Sequence, residues 1–217
     1  MDRRVSEEWA ALNRAYPDFG PMEHRGDRWI TNGRLPIMDA HGVCWEVYDL
    51  EIAILDTFPI SLPLMWETEE KIERSASWHV NGDGSCCVGT DARQYHLLRG
   101  NISLLNWVER LAIPYLANHK LRLLDKAYAS GERSHGLKGV FEEYEELFND
   151  RKDISLLQHL KFITGRSSLG RNQRCFCESG KKYKYCFLRN EQEHRKYIPL
   201  EVILKDLSQL GEGDFFK

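Results

Sequence analysis

No stretch of this chain approaches the run of about 20 apolar residues that a membrane-spanning helix needs, so no membrane partner is expected. There is no basic excess either. Thirty Lys and Arg stand against 33 Asp and Glu, a formal net charge of -3, and no overall positive field argues for nucleic acid. A glycine-rich loop followed by Lys and Ser or Thr is missing, which removes a common cradle for nucleotide phosphates. Cys-x-x-Cys is missing as well, which argues against a thioredoxin-like mechanism. Met1-Asp2-Arg3-Arg4-Val5 leads straight into an amphipathic segment without the apolar core of a signal peptide, so a cytoplasmic location is expected. No internal repeat or low-complexity tract interrupts the chain.

What remains is an ordinary globular composition, 42% hydrophobic and 29% charged over 217 residues. That is enough for one sizeable domain and a small appendage. Val5, Trp9, Leu12 and Tyr16 recur at helical spacing, with Ser6 as a plausible cap and Pro17 to Pro21 as the stop. Asn32-Gly33 carries a hairpin signal. From Tyr48 to Ile54, Tyr48, Leu50, Ile52 and Ile54 alternate with Asp49, Glu51 and Ala53, the period of a half-buried antiparallel strand. Leu62 to Trp66 reads as a short edge strand. Ser103 caps a helix through Leu104, Trp107, Leu111 and Tyr115, which Pro114 should end or kink. Helical stretches follow over His119 to Ala129, Gly139 to Phe148, Ile154 to Ile163 and Leu200 to Leu210. Thr164 to Gly170 is small and polar, so it reads as a linker. The expected fold class is α+β. A body over residues 1–163 has an N-terminal helix, an antiparallel meander and C-terminal helices. A smaller module with a terminal helix fills 164–217.

Six cysteines fall in three groups: Cys44 alone, Cys86-Cys87 in a polar loop, and Cys175, Cys177 and Cys186 close together. In a reducing compartment such groups read as buried, catalytic or metal-binding thiols rather than disulfides. Cys44 is most simply a small buried residue. The central loop runs Trp78-His79-Val80-Asn81-Gly82-Asp83-Gly84-Ser85-Cys86-Cys87-Val88-Gly89. A cysteine pair in a loop is by itself more often incidental than catalytic. A reachable thiolate, however, is a nucleophile that forms thioesters. The amide of Asn81 can steady a tetrahedral intermediate or brace the loop, His79 can lock the turn, and Gly82 and Gly84 open backbone angles closed to other residues. Asp83, Asp91 and His96 are candidate bases for an incoming amine, although plain solvated side chains are the commoner reading.

The order of these parts resembles the ubiquitin-conjugating enzyme fold, in particular its divergent bacterial relatives. The matching series is the N-terminal helix, the meander, Phe58-Pro59 followed by Leu62-Pro63, His79-Val80-Asn81, Gly84-Ser85-Cys86-Cys87-Val88 and the helix with Trp107. It covers roughly residues 1 to 160. The family pattern puts Cys86 at an aliphatic position and Cys87 at the nucleophile; the residues alone leave both thiols open. Val80 stands where the family tripeptide has proline, and the gap from His79 to Cys87 is short.

The resemblance implies a transferase. Cys87 would carry a protein C-terminus as a thioester and pass it to an amine, with Asn81 and His79 in support. The partner would be a protein with an activated C-terminus, a cyclic-oligonucleotide synthase or a ubiquitin-like protein in an antiphage operon. The chain would depend on separate proteins, an activating enzyme among them, or on a simplified pathway. The alternative is a non-catalytic binding module of the same fold, recruited through the C-terminal module.

That module, Gly170 to Phe187, contains Cys175-Phe176-Cys177, then Ser179-Gly180-Lys181-Lys182-Tyr183-Lys184, then Cys186. It is similar to the SEC-C motif, a small zinc hook also found at the end of the SecA translocation ATPase. The resemblance implies structural zinc on Cys175, Cys177 and Cys186. Phe187 occupies the place of the usual fourth ligand, so His194 or a water would complete the shell, or the site would stay empty. Lys181, Lys182 and Lys184, interleaved with Tyr183 and Tyr185, make a small basic-aromatic surface that could contact a partner or nucleic acid, although a solvated rim is the commoner reading.

Overall fold

A computed structural model describes residues 3–125, 134, 136–148, 156–165, 169–177 and 179–212. The elements run α1 (Arg3–Ala15), β1 (Glu23–Arg25), β2 (Arg28–Met38), β3 (Cys44–Leu55), β4 (Leu64–Glu67), α2 (Asp91–Leu98), α3 (Leu104–Trp107), α4 (Ile113–Asp125), α5 (Gly136–Phe148), α6 (Leu156–Ile163), α7 (Leu188–Tyr197) and α8 (Leu200–Glu212). They form two compact units. Met1–Gly89 with Asn101–Glu132 makes the first, and Thr90–Gly100 with Arg133–Lys217 the second. The helices α5 and α6 therefore group with the C-terminal cysteine segment, a division different in place from a boundary at 163/164. Part of the expected stretch His119 to Ala129 lies outside the described residues.

The first unit is built on a four-stranded antiparallel meander in the order β1-β2-β3-β4. The alternation in β3 has the expected effect. Tyr48, Leu50, Ile52 and Ile54 are all buried, as are Leu35 and Ile37 of the paired β2. α4 covers this face through contacts with β2 and β3, and α1 packs on α3. Fully burying each such aliphatic side chain contributes roughly 1.5–3 kcal/mol. Ser103 caps α3 as expected, accepting from Asn106 N at 3.2 Å. Glu8 of α1 accepts from Leu104 N at 2.7 Å, which satisfies another open donor of the same helix end.

Four local expectations need correction. Ser6 lies inside α1, which already includes Arg3, so it is not the cap. Asn32-Gly33 is no turn; β2 runs straight through it, and the tight hairpin sits at Gly26-Asp27 instead. Gly33 is there for space: a Cβ would stand 2.5 Å from both the Cα and the ring of Phe19. Pro114, expected to end or kink its helix, does not end it. A π-helical turn over Val108–Ala112 precedes it, with Ile113 N donating to Val108 O. The wider turn spares the proline ring the clash with the preceding turn and absorbs its missing donor. Cys44 is exposed rather than buried, because it opens β3 at the hairpin end, beside the register shift at Ile37/Met38.

Two stability predictions follow from this unit. Gly33→Ala forces the Phe19 segment to move and is expected to cost about 3 kcal/mol, the upper range for overpacking a tight core; the loss is read from urea denaturation midpoints. The second concerns His119 of α4, which is buried and shares a hydrogen bond of 2.7 Å between its Nδ1 and the Tyr48 hydroxyl. Burial lowers its pKa from 6.5 to about 4. Between those values the unfolded chain takes up a proton that the folded state refuses. Stability is therefore complete above pH 6.5 and is lost as pH falls toward and through 4. From pH 7 to pH 5 this one group is expected to cost on the order of 2 kcal/mol. His119→Gln should flatten that part of the pH dependence in parallel urea titrations; an unchanged slope would assign it elsewhere.

In the second unit, Thr90 caps α2 by accepting from Arg93 N. Arg93 reaches the buried Glu143 of α5 at 3.3 Å, and Tyr144 OH donates to Asp206 of α8 at 2.8 Å. These links tie α2, α5 and α8 together around a small polar centre.

Candidate functional site

The cysteine-pair loop leaves the sheet after β4. A 3₁₀ turn over Ala76–Trp78 ends at His79, which takes a left-handed conformation with φ 54°. The chain then doubles back. Asn81 N donates to Ser85 O, Gly84 N to Asn81 O and Cys87 N to His79 O at 2.7 Å, and Val80 pairs with Cys86 as an antiparallel bridge. Gly84, at φ +83°, is where this tight return needs glycine. Two further contacts pin the loop to β4: Cys86 N donates to Met65 O at 2.7 Å, and Trp66 Nε1 donates to Asp83 O at 3.3 Å. From α4, Tyr115 OH reaches the carbonyls of Trp78 and His79 at 3.1 and 3.3 Å. The Arg122 guanidinium stacks 3.9 Å over the Trp78 ring.

This geometry separates the two thiols. Consecutive side chains of an extended bridge point to opposite sides. Cys86 is buried at 7% exposure, and Cys87 is half-buried. Burial pushes the Cys86 thiol up to about 11, so at neutral pH it stays protonated and poorly nucleophilic. Cys87 is the less buried of the two.

The supporting residues act mainly through backbone and loop. His79 contributes its carbonyl, which takes the Cys87 amide. Asn81 Nδ2 donates to Ser85 Oγ at 3.0 Å, which in turn donates to Asp83 Oδ1 at 2.6 Å. The Ser85 hydroxyl and amide hold the Asp83 carboxyl below its usual range, so Asp83 is committed to the loop. Asp91 and His96 belong to α2 in the second unit. There Asp91 pairs with Lys205 at 3.1 Å, and the His96 ring lies 5.7 Å from that of His194. Tyr115 was missed from sequence; its position beside a proline in a helix carries no signal of a loop contact.

The second cysteine cluster is held by a miniature hairpin. Arg174 bridges Lys182, Cys175 N donates to Lys181 O, and Tyr183 N donates to Gln173 O. Gly180, at φ +73°, makes the turn. A 3₁₀ turn over Tyr183–Tyr185 then delivers Cys186. The three sulfurs lie within 4.8 Å of one another. Tetrahedral zinc with Zn–S bonds of about 2.3 Å sets sulfurs roughly 3.8 Å apart, so the donor set fits that ion. Burial pushes the Cys175 thiol up. Burial opposes ionisation at Cys177 too, but the Ser179 hydroxyl, 3.0 Å from its sulfur, and the neighbouring thiols outweigh it and bring it down to about 7.

Residues 171–186 match the SEC-C motif. The match covers only this segment of the chain. No curated protein and no solved structure matches the chain. SEC-C is a zinc-binding motif, and here it has three cysteines placed to hold a metal. No fourth described side chain joins them. Phe187, at the usual fourth position, is turned into the apolar cluster of Cys175 and Tyr183 and packs 4.3 Å from the His159 ring. His194 is buried in α7 against His96 instead of in the thiol set. Ser179, unmarked by any ligand-type argument in the sequence, is the residue the structure adds to this SEC-C centre. A bound zinc would cross-link the hairpin to the 3₁₀ turn through Cys175, Cys177 and Cys186.

Proposed function

We propose that the chain is a ubiquitin-conjugating-like transferase that carries a protein C-terminus as a thioester on Cys87. The observation that carries this reading is the loop itself. A half-buried cysteine sits on a backbone fixed by His79, Met65 and Tyr115, while its neighbour Cys86 is buried. The order of helix, four-strand meander, thiol loop and packed helix agrees with that fold.

In the proposed reaction the Cys87 thiolate attacks the thioester carbonyl of a C-terminus activated on another enzyme. The upstream thiol leaves, and the acyl group now rests on Cys87. A target amine then attacks, the Cys87 thiolate departs, and the amine gives up a proton as the amide forms. The Asn81 amide, held over the loop by Ser85, is the side chain proposed to keep the loop set and to face the oxyanion. The acyl partner is a ubiquitin-like protein or the C-terminus of a cyclic-oligonucleotide synthase.

The test is direct. The purified protein is incubated with each partner and its activating enzyme and run on non-reducing gels. A higher-mass adduct that thiol reagents cleave is expected. If no activated C-terminus yields one, the transferase reading fails.

A further inference from the structure

The chain as a whole is acidic, yet its charge is unevenly placed. Residues 171–189 contain Arg171, Arg174, Lys181, Lys182, Lys184 and Arg189 against a single Glu178. Among the described residues none of these six cations forms an ion pair with a carboxylate, whereas ion pairs occur elsewhere, as at Arg3–Glu7, Arg93–Glu143 and Lys205–Asp91. Unneutralised cations gathered on one short segment raise the local potential and draw anions.

Three of these cations also line a space. A half-open cavity of about 490 Å³ is lined by Arg171, Lys184, Leu188, Arg189 and Gln192. Three cationic heads, one amide and one apolar side chain make a wall suited to a phosphate with an organic group attached. Beside it Tyr185 is 71% exposed, with Lys184 Nζ 4.9 Å from its ring centre. An aromatic ring left in water next to a cationic groove is the pairing that single-stranded nucleic acid uses, with backbone on charge and base on ring. An acidic peptide would use the charges but would leave Tyr185 without a role.

We propose that this basic face of the hook binds single-stranded nucleic acid, with Arg171, Lys184 and Arg189 on the phosphates and Tyr185 stacking a base. The site is independent of Cys87 and of the transferase reading. It assigns a purpose to lysines and tyrosines that otherwise form only a solvated rim.

The experiment uses the full chain with zinc and a fluorescein-labelled 12-nucleotide single-stranded RNA of mixed sequence, followed by anisotropy. Three phosphate contacts on a single strand predict a slope of log affinity against log salt of roughly -2. Arg171→Glu with Arg189→Glu should weaken binding at least tenfold and flatten that slope. Arg171→Gln with Arg189→Gln, a milder pair, should do the same to a smaller degree. Tyr185→Ala should cost roughly tenfold with the slope unchanged, because stacking involves no counterion. Arg14→Glu with Arg110→Glu, distant in sequence and equal in charge change, should leave binding as it is. Circular dichroism and zinc content report that each variant is folded. No binding at low salt, binding insensitive to both Arg171/Arg189 pairs, or a silent Tyr185→Ala overturns the proposal. Poly-glutamate that competes as well as unlabelled RNA also overturns it, in favour of an acidic polypeptide.

Discussion

Cys87→Ser is expected to turn a thiol-labile adduct into a thiol-resistant one. The serine hydroxyl would occupy the same half-buried place and form an oxyester with the same acyl group. Oxyesters withstand thiol reagents that cleave thioesters. Cys87→Ala should remove the adduct altogether, a loss of at least ~1000-fold in transfer rate when the nucleophile is deleted. Cys86→Val should behave in the opposite way. Cys86 is buried, its thiol is pushed up to about 11, and its amide ties the loop to Met65 O. Valine keeps the backbone bond and fills the apolar site, so the adduct should form at close to the normal rate. The three variants run on one non-reducing gel, with and without thiol reagent, separate the two sulfurs. An adduct lost in Cys86→Val and kept in Cys87→Ala would reverse the assignment.

Loss of metal is the second large effect. The apolar cluster of the hook consists of Cys175, Tyr183 and Phe187, with Leu169, Phe176 and Leu188 packed against it. A core that small does not hold a fold by itself. Zinc in finger-like sites supplies about 10–16 kcal/mol of apparent binding free energy, and that energy is folding energy. One zinc per chain is expected by elemental analysis. Cys177→Ser should reduce occupancy to near zero, since it removes one of three thiolates from a site with no fourth described protein ligand. The segment 169–187 should then become the preferred site of limited proteolysis, and chelation of the wild-type protein should give the same cleavage. Ser179→Ala is a milder variant: the sulfurs remain, but Cys177 loses the hydroxyl 3.0 Å away. Zinc affinity should fall about 10-fold or more, as when a partner of a ligand is removed. Zinc-free protein that resists proteolysis in this segment would contradict the structural role.

Local signals carried far in this chain, and close contacts did not. The alternation over Tyr48 to Ile54 was legible because one face of β3 meets the core; the opposite face is only partly exposed at Asp49 and Glu51, and Ala53, expected on the wet side, is buried. The Ser103 cap and the three clustered cysteines were legible for the same kind of reason: a chemical need met within a few residues. Gly33 looked like a turn residue because its real cause, the Phe19 ring pressed against its Cα, lies 14 positions away. Pro114 looked like a helix end or kink because the π-turn that admits it leaves no mark in the residues. The loop shows both sides. Its glycines and thiols stood out in sequence. The choice between Cys86 and Cys87, by contrast, rested there on resemblance, and becomes physical only with the Val80–Cys86 bridge and the burial it imposes. Tyr115, which holds two carbonyls of the loop, was invisible for the same reason as Phe19: its contact is 36 residues away.

The measurement that tests the central claim most directly is peptide mapping of the wild-type adduct. The protein is charged with an activated C-terminal partner, digested at mildly acidic pH to preserve thioesters, and sequenced by tandem mass spectrometry. The account predicts the acyl remnant on Cys87, with Cys86 unmodified in the same peptide. A remnant on Cys86, or on any cysteine outside this loop, would contradict it.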